Sequence, residues 1–327
     1  MLKRLNEVKQ VQVGITTRCN SHCRFCFREE LLRSSNGHEM LFKDNPYDLS
    51  FDTFKRIFLD TKLMDVQFCG NKGDAIFHPE FHKILDYTID QGVFISLATN
   101  GSAFSENWWK ELGKRMKGEV TFAIDGLKDT HGIYRGTSFD KVYRNMLAYI
   151  EGGGRARWQY IVFKHNEHQL KEAKEISKKI GCQKFITVIS RFYDDVMQRP
   201  STEKTKRELF TERNDRFDNY PNIKKYISGF DCEWIKLRRV YISSRGTMYP
   251  CCYISCSTHD WYTAPKYMEL RGLKKPEYNI TNNTLNNIIK LPWFKKIYDG
   301  IDKCDICKLH CGNIREYRNK IRREENL

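Results

Sequence analysis

The sequence has no long hydrophobic run. No apolar stretch among its 327 residues approaches the roughly 20 that a membrane-spanning helix needs, and mean hydropathy is −0.64. An integral membrane protein is therefore not expected. The first residues, Met1-Leu2-Lys3-Arg4-Leu5-Asn6-Glu7, reach charge at once and lack the apolar segment of a secretory leader. Long internal repeats and low-complexity tracts are absent as well. What is present is the material of a folded core: 40% hydrophobic and 30% charged residues. The length suits two domains, or one large domain with an appendage.

Charge and cysteine content narrow the class. Lys and Arg number 56 against 41 Asp and Glu, a net charge of +15. Residues 201–327 alone hold 25 of the basic and 16 of the acidic residues. Twelve cysteines without an export signal point to metal or redox chemistry in a reducing cytoplasm, not to a disulfide framework.

Six short β-rich runs alternate with amphipathic stretches over the first two thirds. The runs are Val11–Thr16, Asp65–Cys69, Val93–Ala98, Glu119–Ile124, Trp158–Phe163 and Lys184–Ser190. Ser105, Ser138 and Asn166 stand where helix N-caps belong, Phe51, Phe54, Ile57 and Phe58 recur at helical spacing after Ser50, and Gly152 and Gly181 stand where helices end. Strand and helix alternating six times predict an α/β fold with parallel strands, either a partial barrel or an open doubly wound sheet. The rhythm stops near Ser190. Residues 195–230 read as a polar connector with a helical pattern over Thr202–Phe217, and the tail Arg315–Leu327 as a short polar helix or frayed end.

The loop after the first strand reads Thr16-Thr17-Arg18-Cys19-Asn20-Ser21-His22-Cys23-Arg24-Phe25-Cys26. Three soft ligands suit zinc or an iron–sulfur cluster. Zinc would need His22 or a distant residue as fourth ligand, and Cys-x-x-x-Cys-x-x-Cys is not the paired spacing it favours. Three thiolates on a four-iron cluster would leave one iron open to a ligand other than protein.

This segment resembles the signature of the radical S-adenosylmethionine (AdoMet) superfamily, with Phe25 as the aromatic before the last cysteine. The resemblance implies a partial (β/α)6 barrel. It also implies a [4Fe–4S] cluster on Cys19, Cys23 and Cys26, and reductive cleavage of AdoMet to a 5′-deoxyadenosyl radical that abstracts a substrate hydrogen. Other strand ends carry compatible residues, as a parallel βα fold requires. Gly73-Asp74 falls where the family has Gly-Glu, with Asp74 the acceptor for the AdoMet ammonium. Thr99-Asn100-Gly101 is similar to the family's Thr-Asn-Gly turn. Ala123-Ile124-Asp125-Gly126 is similar to Ser-x-Asp-Gly without the serine, and Arg135, twelve residues after Ala123, is implied as partner of the AdoMet carboxylate. His165 and His168 read as solvated residues beside a helix cap. Cys69 is a weak candidate hydrogen donor and otherwise a buried strand-end residue; Cys182 reads as core.

A second group of cysteines lies near the C-terminus. Cys232 is followed after thirteen residues by Gly246, then after four by Cys251; Cys304, Cys307 and Cys311 come later. A structural zinc ribbon is one reading. The spacing also resembles the SPASM and Twitch extensions of radical AdoMet enzymes, Twitch fitting better. That implies one auxiliary [4Fe–4S] cluster on Cys232, Cys251, Cys304 and Cys307, with Cys311 as a substitute. Cys252 and Cys256 are either extra ligands or small apolar residues.

The expected organisation is thus a core over 1–194, a connector over 195–230 and an auxiliary-cluster domain over 231–327. The expected substrate is a peptide or protein, with sugar or nucleotide oxidation next. The rivals are an RNA-modifying factor and a non-enzymatic iron–sulfur electron carrier. The positive charge suits an acidic one-electron donor of flavodoxin or ferredoxin type, or an acidic substrate. Tyr220–Tyr226 and Arg315–Arg323 offer only weak RNA-binding features, and no RNA-binding module is recognised.

Overall fold

The six apolar runs become six strands: β1 (Gln10–Val13), β2 (Asp65–Phe68), β3 (Phe94–Thr99), β4 (Gly118–Ala123), β5 (Arg155–Val162) and β6 (Lys184–Ile189). Three further strands follow, β7 (Arg239–Ile242), β8 (Met248–Tyr249) and β9 (Arg322–Asn326). The structure, a computed structural model, describes residues 6–33, 48–70, 72–190, 193–201, 232–257, 276–299, 307 and 322–326. The fold is α/β with mostly parallel strands in an open order, as expected of a partial barrel. The chain divides into two compact units.

The first unit comprises Met1–Arg18, His38–Ile95 and Ile227–Asn313. Its strand order is β8-β7-β1-β2. Both neighbours of β1 are parallel, with Val11 opposite Val66 on one side and Val240 on the other. All three valines are fully buried, as a strand covered on both faces requires. Ser50 caps the helix Phe51–Lys55, its Oγ accepting from Thr53 N at 3.2 Å. That helix sends Phe54 onto Phe68 of β2, centroids 6.0 Å apart. Phe68 in turn meets Phe81 of the helix Phe81–Asp90 edge-on at 6.2 Å. Each such ring, removed from water, contributes roughly 1.5–3 kcal/mol. β7 was not anticipated. It is four residues long, opens on Arg239, and lies in a turn-rich stretch where so short a run has no visible period.

The second unit comprises Cys19–Gly37, Ser96–Tyr226 and Ile314–Leu327. Here β4, β5 and β6 are parallel, Phe122 opposite Trp158 and Trp158 opposite Phe185. Ser105 and Ser138 cap the helices Glu106–Arg115 and Phe139–Glu151, as read from the sequence. Trp109 and Tyr149 from those helices close on Phe122 at 5.1 and 6.0 Å.

Two expectations are corrected in this unit. The tail is not helical at its end: β9 pairs antiparallel with β6, Lys184 opposite Asn326. Arg-Arg-Glu-Glu-Asn carries no apolar alternation, so main-chain pairing at an open edge decides its state, and charge suits such an edge. Asn166 is not a side-chain cap. It is fully buried, its Oδ1 accepts from Phe163 N at 2.7 Å, and its Nδ2 donates to Asp125 O and Ile161 O. Burial made it more valuable as a tie between strand ends than as a cap.

Thr202–Phe217, Tyr220–Tyr226, Asn71, Cys304 and Cys311 lie outside the described residues, as does the Cys256 side chain. Among the described residues no helix is long and apolar enough to cross a membrane.

Candidate functional site

Two strand ends of the first unit are braced together. After β1, Thr16 Oγ1 donates to Asp48 Oδ1 at 2.6 Å, and Arg18 Nε to Asp48 Oδ2 at 2.9 Å. After β2, Asp74 N donates to Arg18 O at 2.9 Å. Gly73 has to be glycine: a Cβ there would press on Thr16 O and stand 2.8 Å from Thr17. Asp74, buried, caps the short turn Ala75–Phe77, accepting from Ile76 N at 3.4 Å. His78 Nε2 lies 3.0 Å from Leu49 O, and burial lowers its pKa. Cys69 is half-buried, and its carbonyl accepts from Gln12 Nε2 at 3.0 Å.

In the second unit the Cys19–Cys26 loop is held by polar contacts. Asn100 Nδ2 reaches Asn20 Oδ1 and Ser21 Oγ at 2.9 Å each, and Cys19 Sγ at 3.6 Å. Its own Oδ1 accepts from Ser102 N at 2.9 Å, while Thr99 Oγ1 accepts from Gly101 N at 3.0 Å. The Thr-Asn-Gly turn at the end of β3 is thus a bracket for the cysteine loop. Cys26 N donates to Cys23 O at 2.9 Å, closing a turn that starts the helix Phe27–Arg33. Phe25 and Cys26 pack against Cys23, Tyr134, Phe163 and Met197.

Cys23 is the buried member of the trio, and Cys19 and Cys26 are half-buried. Burial pushes the Cys23 thiol up, against the pull of Arg135, whose Nη1 lies 3.6 Å from its sulfur. Arg135 Nε pairs with Asp125 Oδ2, and Asp125 is fully buried. Burial works against the charge on Arg135, but Asp125 and then Cys23 hold it firmly protonated. A guanidinium so held stays charged, which keeps Asp125 its counterion. Arg135, which the resemblance implies as partner of the AdoMet carboxylate, contacts Asp125 and Cys23.

The donor set fits an iron–sulfur cluster. A buried thiol that resists ionisation becomes a thiolate once a metal takes the proton's place. Among the described residues no three His, Cys, Asp or Glu side chains converge on a single ion. A cubane asks for less convergence, since each thiolate binds a different iron.

Further along the chain end of β5, His165 is not on a solvated face. It is half-buried and stacked on Phe163, centroids 5.5 Å apart, with neither ring nitrogen hydrogen-bonded among the described residues, and burial lowers its pKa. His168 is exposed, as read from the sequence.

The C-terminal cysteines belong to the first unit. Gly246, at φ +75°, turns β7 back as β8 and so returns the chain to Cys251. Cys232, Cys251 and Cys307 are all buried, and Cys252 is half-buried. Tyr298 lies within electrostatic reach of the first three. Burial, then the sulfurs of Cys232, Cys251 and Cys307, hold its phenol well above the usual pKa. Its hydroxyl has no hydrogen-bond partner among the described residues. Cys182 is core, its Sγ 3.9 Å from Met146 Sδ and its thiol pushed up to about 12 by burial.

A family model described as the Radical SAM superfamily matches residues 13–188. The chain is similar to the tungsten-containing aldehyde ferredoxin oxidoreductase cofactor-modifying protein of Pyrococcus furiosus. The two are 24% identical over 187 residues, 53% of this chain and 49% of the relative, so the match spans about half the relative's length. It is also similar to the S-adenosylmethionine-dependent nucleotide dehydratase of Selenomonas ruminantium, 32% identical over 97 residues, 28% of this chain and 30% of that protein. Among solved structures, Streptococcus suis SuiB bound to precursor peptide SuiA aligns with a TM-score of 0.60 at 13% identity, over 93% of this chain and 71% of that one. AdoMet-bound anSMEcpe aligns with a TM-score of 0.57 at 17% identity, over 92% and 85%. At such identities the structural likeness is one of fold.

Proposed function

The chain belongs to the radical SAM superfamily, and from that premise we propose that Cys19, Cys23 and Cys26 hold a [4Fe–4S] cluster with AdoMet on its open iron. When bound, the pair supplies a 5′-deoxyadenosyl radical that takes a hydrogen atom from substrate. The residues of this chain have more local tasks. Asn100 fixes the loop by binding Cys19 Sγ and its two neighbours. Asp74 offers a carboxylate to the AdoMet ammonium. Thr99 shapes the turn that carries Asn100. Phe25 seats the loop on the Tyr134–Phe163 aromatic patch.

The observation that carries this reading is the placement of Cys23: a buried sulfur, in a braced loop, facing a charged donor. For the substrate we favour a peptide or protein, supported by the fold likeness to SuiB with its precursor peptide and to anSMEcpe with a Cp18Cys peptide. A nucleotide or cofactor is the second reading, supported by the curated relatives. We assign Cys232, Cys251 and Cys307 to an auxiliary [4Fe–4S] site together with Cys304, and the net charge of +15 to docking an acidic one-electron donor.

The test is anaerobic reconstitution, iron counting and incubation with AdoMet and dithionite. Two clusters give about eight irons per chain, and cleavage gives 5′-deoxyadenosine. Zinc without iron, or iron without cleavage, would overturn the proposal. About four irons with cleavage would remove the auxiliary cluster alone.

A further inference from the structure

Asp125 is fixed from every side. Its Oδ1 accepts from Ile161 N at 2.5 Å, and its backbone N donates to His131 Nδ1 at 3.2 Å. Its carbonyl accepts from Asn166 Nδ2 at 3.0 Å, and its Oδ2 takes Arg135 Nε. A planar guanidinium gripped at Nε has little freedom left, so the direction of Nη1 is set. That direction is toward Cys23 Sγ, 3.6 Å away. The Arg135 side chain is only 13% exposed, so little water screens the contact.

We propose that Asp125 and Arg135 are positioning residues for the cluster: Asp125 aims the guanidinium, and its donation to Cys23 Sγ raises the cluster's reduction potential. The inference rests on the proposed ligation by Cys23. The reduced cluster carries one more negative charge than the oxidised one, and hydrogen bonds and net charge at the sulfurs shift potential accordingly. A donor held 3.6 Å from a ligating sulfur therefore favours uptake of the single electron that cleavage requires. Asp125 limits the effect, since its own charge offsets that of Arg135.

This gives substitutions opposite signs. In Asp125→Asn the positive charge is left uncompensated and the midpoint rises. In the double variant Asp125→Asn with Arg135→Gln the polar shape is kept, both charges go, and the midpoint falls. The measurement is a dithionite titration of the reconstituted chain without AdoMet, followed by electron paramagnetic resonance. It is run in a Cys232→Ala and Cys251→Ala background so that one cluster is read. The double variant is expected to show a tenfold lower ratio of reduced to oxidised cluster at a fixed potential, a shift of about 59 mV for one electron. Arg135→Lys, which keeps the charge, restores part of it.

AdoMet affinity is measured in parallel by equilibrium dialysis. An unshifted midpoint with full iron content overturns the proposal. If AdoMet affinity falls in that case, Arg135 serves the AdoMet carboxylate instead. Loss of iron from all three variants also overturns it, since the pair would then be a strut for the loop. If the parent chain binds no cluster, the ligation itself fails, which is a separate result.

Discussion

The two cysteine groups are built in opposite ways. Cys19, Cys23 and Cys26 lie within one loop, and polar side chains from elsewhere in the chain hold that loop: Asn100, just after β3, on Cys19, and Arg135, at the end of the helix His131–Arg135, on Cys23. Two of the three sulfurs are half-buried. Cys232, Cys251 and Cys307 come from distant points in the sequence, and all are buried within electrostatic reach of the Tyr298 phenol. The first arrangement suits a group that must admit a ligand and exchange an electron. The second suits a closed site that the fold is built around. Local ligands can be oriented by a few hydrogen bonds, whereas dispersed ligands are oriented only by the packing of the whole unit.

The sharpest way to test this contrast is to remove one sulfur from each group. Cys23→Ser is expected to lose the four irons of the first site and abolish 5′-deoxyadenosine formation, a loss of at least about 10³-fold, because no radical chemistry survives without the electron carrier. Cys251→Ala is expected to lose the other four irons, leave AdoMet cleavage within about threefold, and lower the unfolding free energy, as loss of a closed metal site does. Iron counting, product chromatography and denaturant unfolding on each variant decide it. If Cys251→Ala also abolished cleavage, the two sites would not be separable and the contrast would fail.

A subtler test keeps every sulfur. Asn100→Ala removes the donor that spans Asn20, Ser21 and Cys19. Losing a buried hydrogen-bonding group costs about 1–3 kcal/mol, and the expected result is slower AdoMet cleavage at unchanged iron content. The matching change at the second site is Tyr298→Phe. Its hydroxyl has no protein partner in the described residues, so the variant keeps its stability to within about 0.5 kcal/mol when the site is empty. A stability loss in the metal-free chain would show that the phenol serves the fold and not a bound group.

The same contrast explains what could be read in advance. All six expected strands and the Ser105 and Ser138 caps were legible because their signals are local: an apolar run, or one side chain reaching an amide three residues on. The Cys19–Cys26 loop was legible for the same reason. Asn166 misled because a cap and a buried tie use the same side-chain chemistry, and only the surroundings choose between them. β9 misled because an edge strand of charged residues draws its order from β6, not from itself. The Asp125–Arg135–Cys23 chain and the nearness of Cys232, Cys251 and Cys307 to Tyr298 were hidden, since both depend on residues that meet only after the strands have formed.

Acid and base probe one buried group beside each cysteine group. Beside the first, His131 is fully buried, its Nδ1 accepting from Asp125 N and its Nε2 within 3.0 Å of Thr137 Oγ1, and burial lowers its pKa to about 3. The folded chain therefore binds fewer protons than the unfolded chain below the ordinary histidine value near 6.5. Stability from His131 is fully present above about pH 6.5 and is lost toward pH 3, at up to about 1.4 kcal/mol per pH unit. His78, lowered in the same direction, adds to this loss. Tyr298 has the opposite sign. Its raised pKa means the folded state keeps a proton that the unfolded state releases, so its contribution is intact below about pH 10 and falls only above it. Urea unfolding of the metal-free chain from pH 4 to pH 11 should show both limbs. His131→Gln makes the acid limb shallower and leaves the alkaline limb unchanged; Tyr298→Phe makes the alkaline limb shallower and leaves the acid limb unchanged. A change in the alkaline limb from His131→Gln, or in the acid limb from Tyr298→Phe, would overturn the assignment of that residue to its limb.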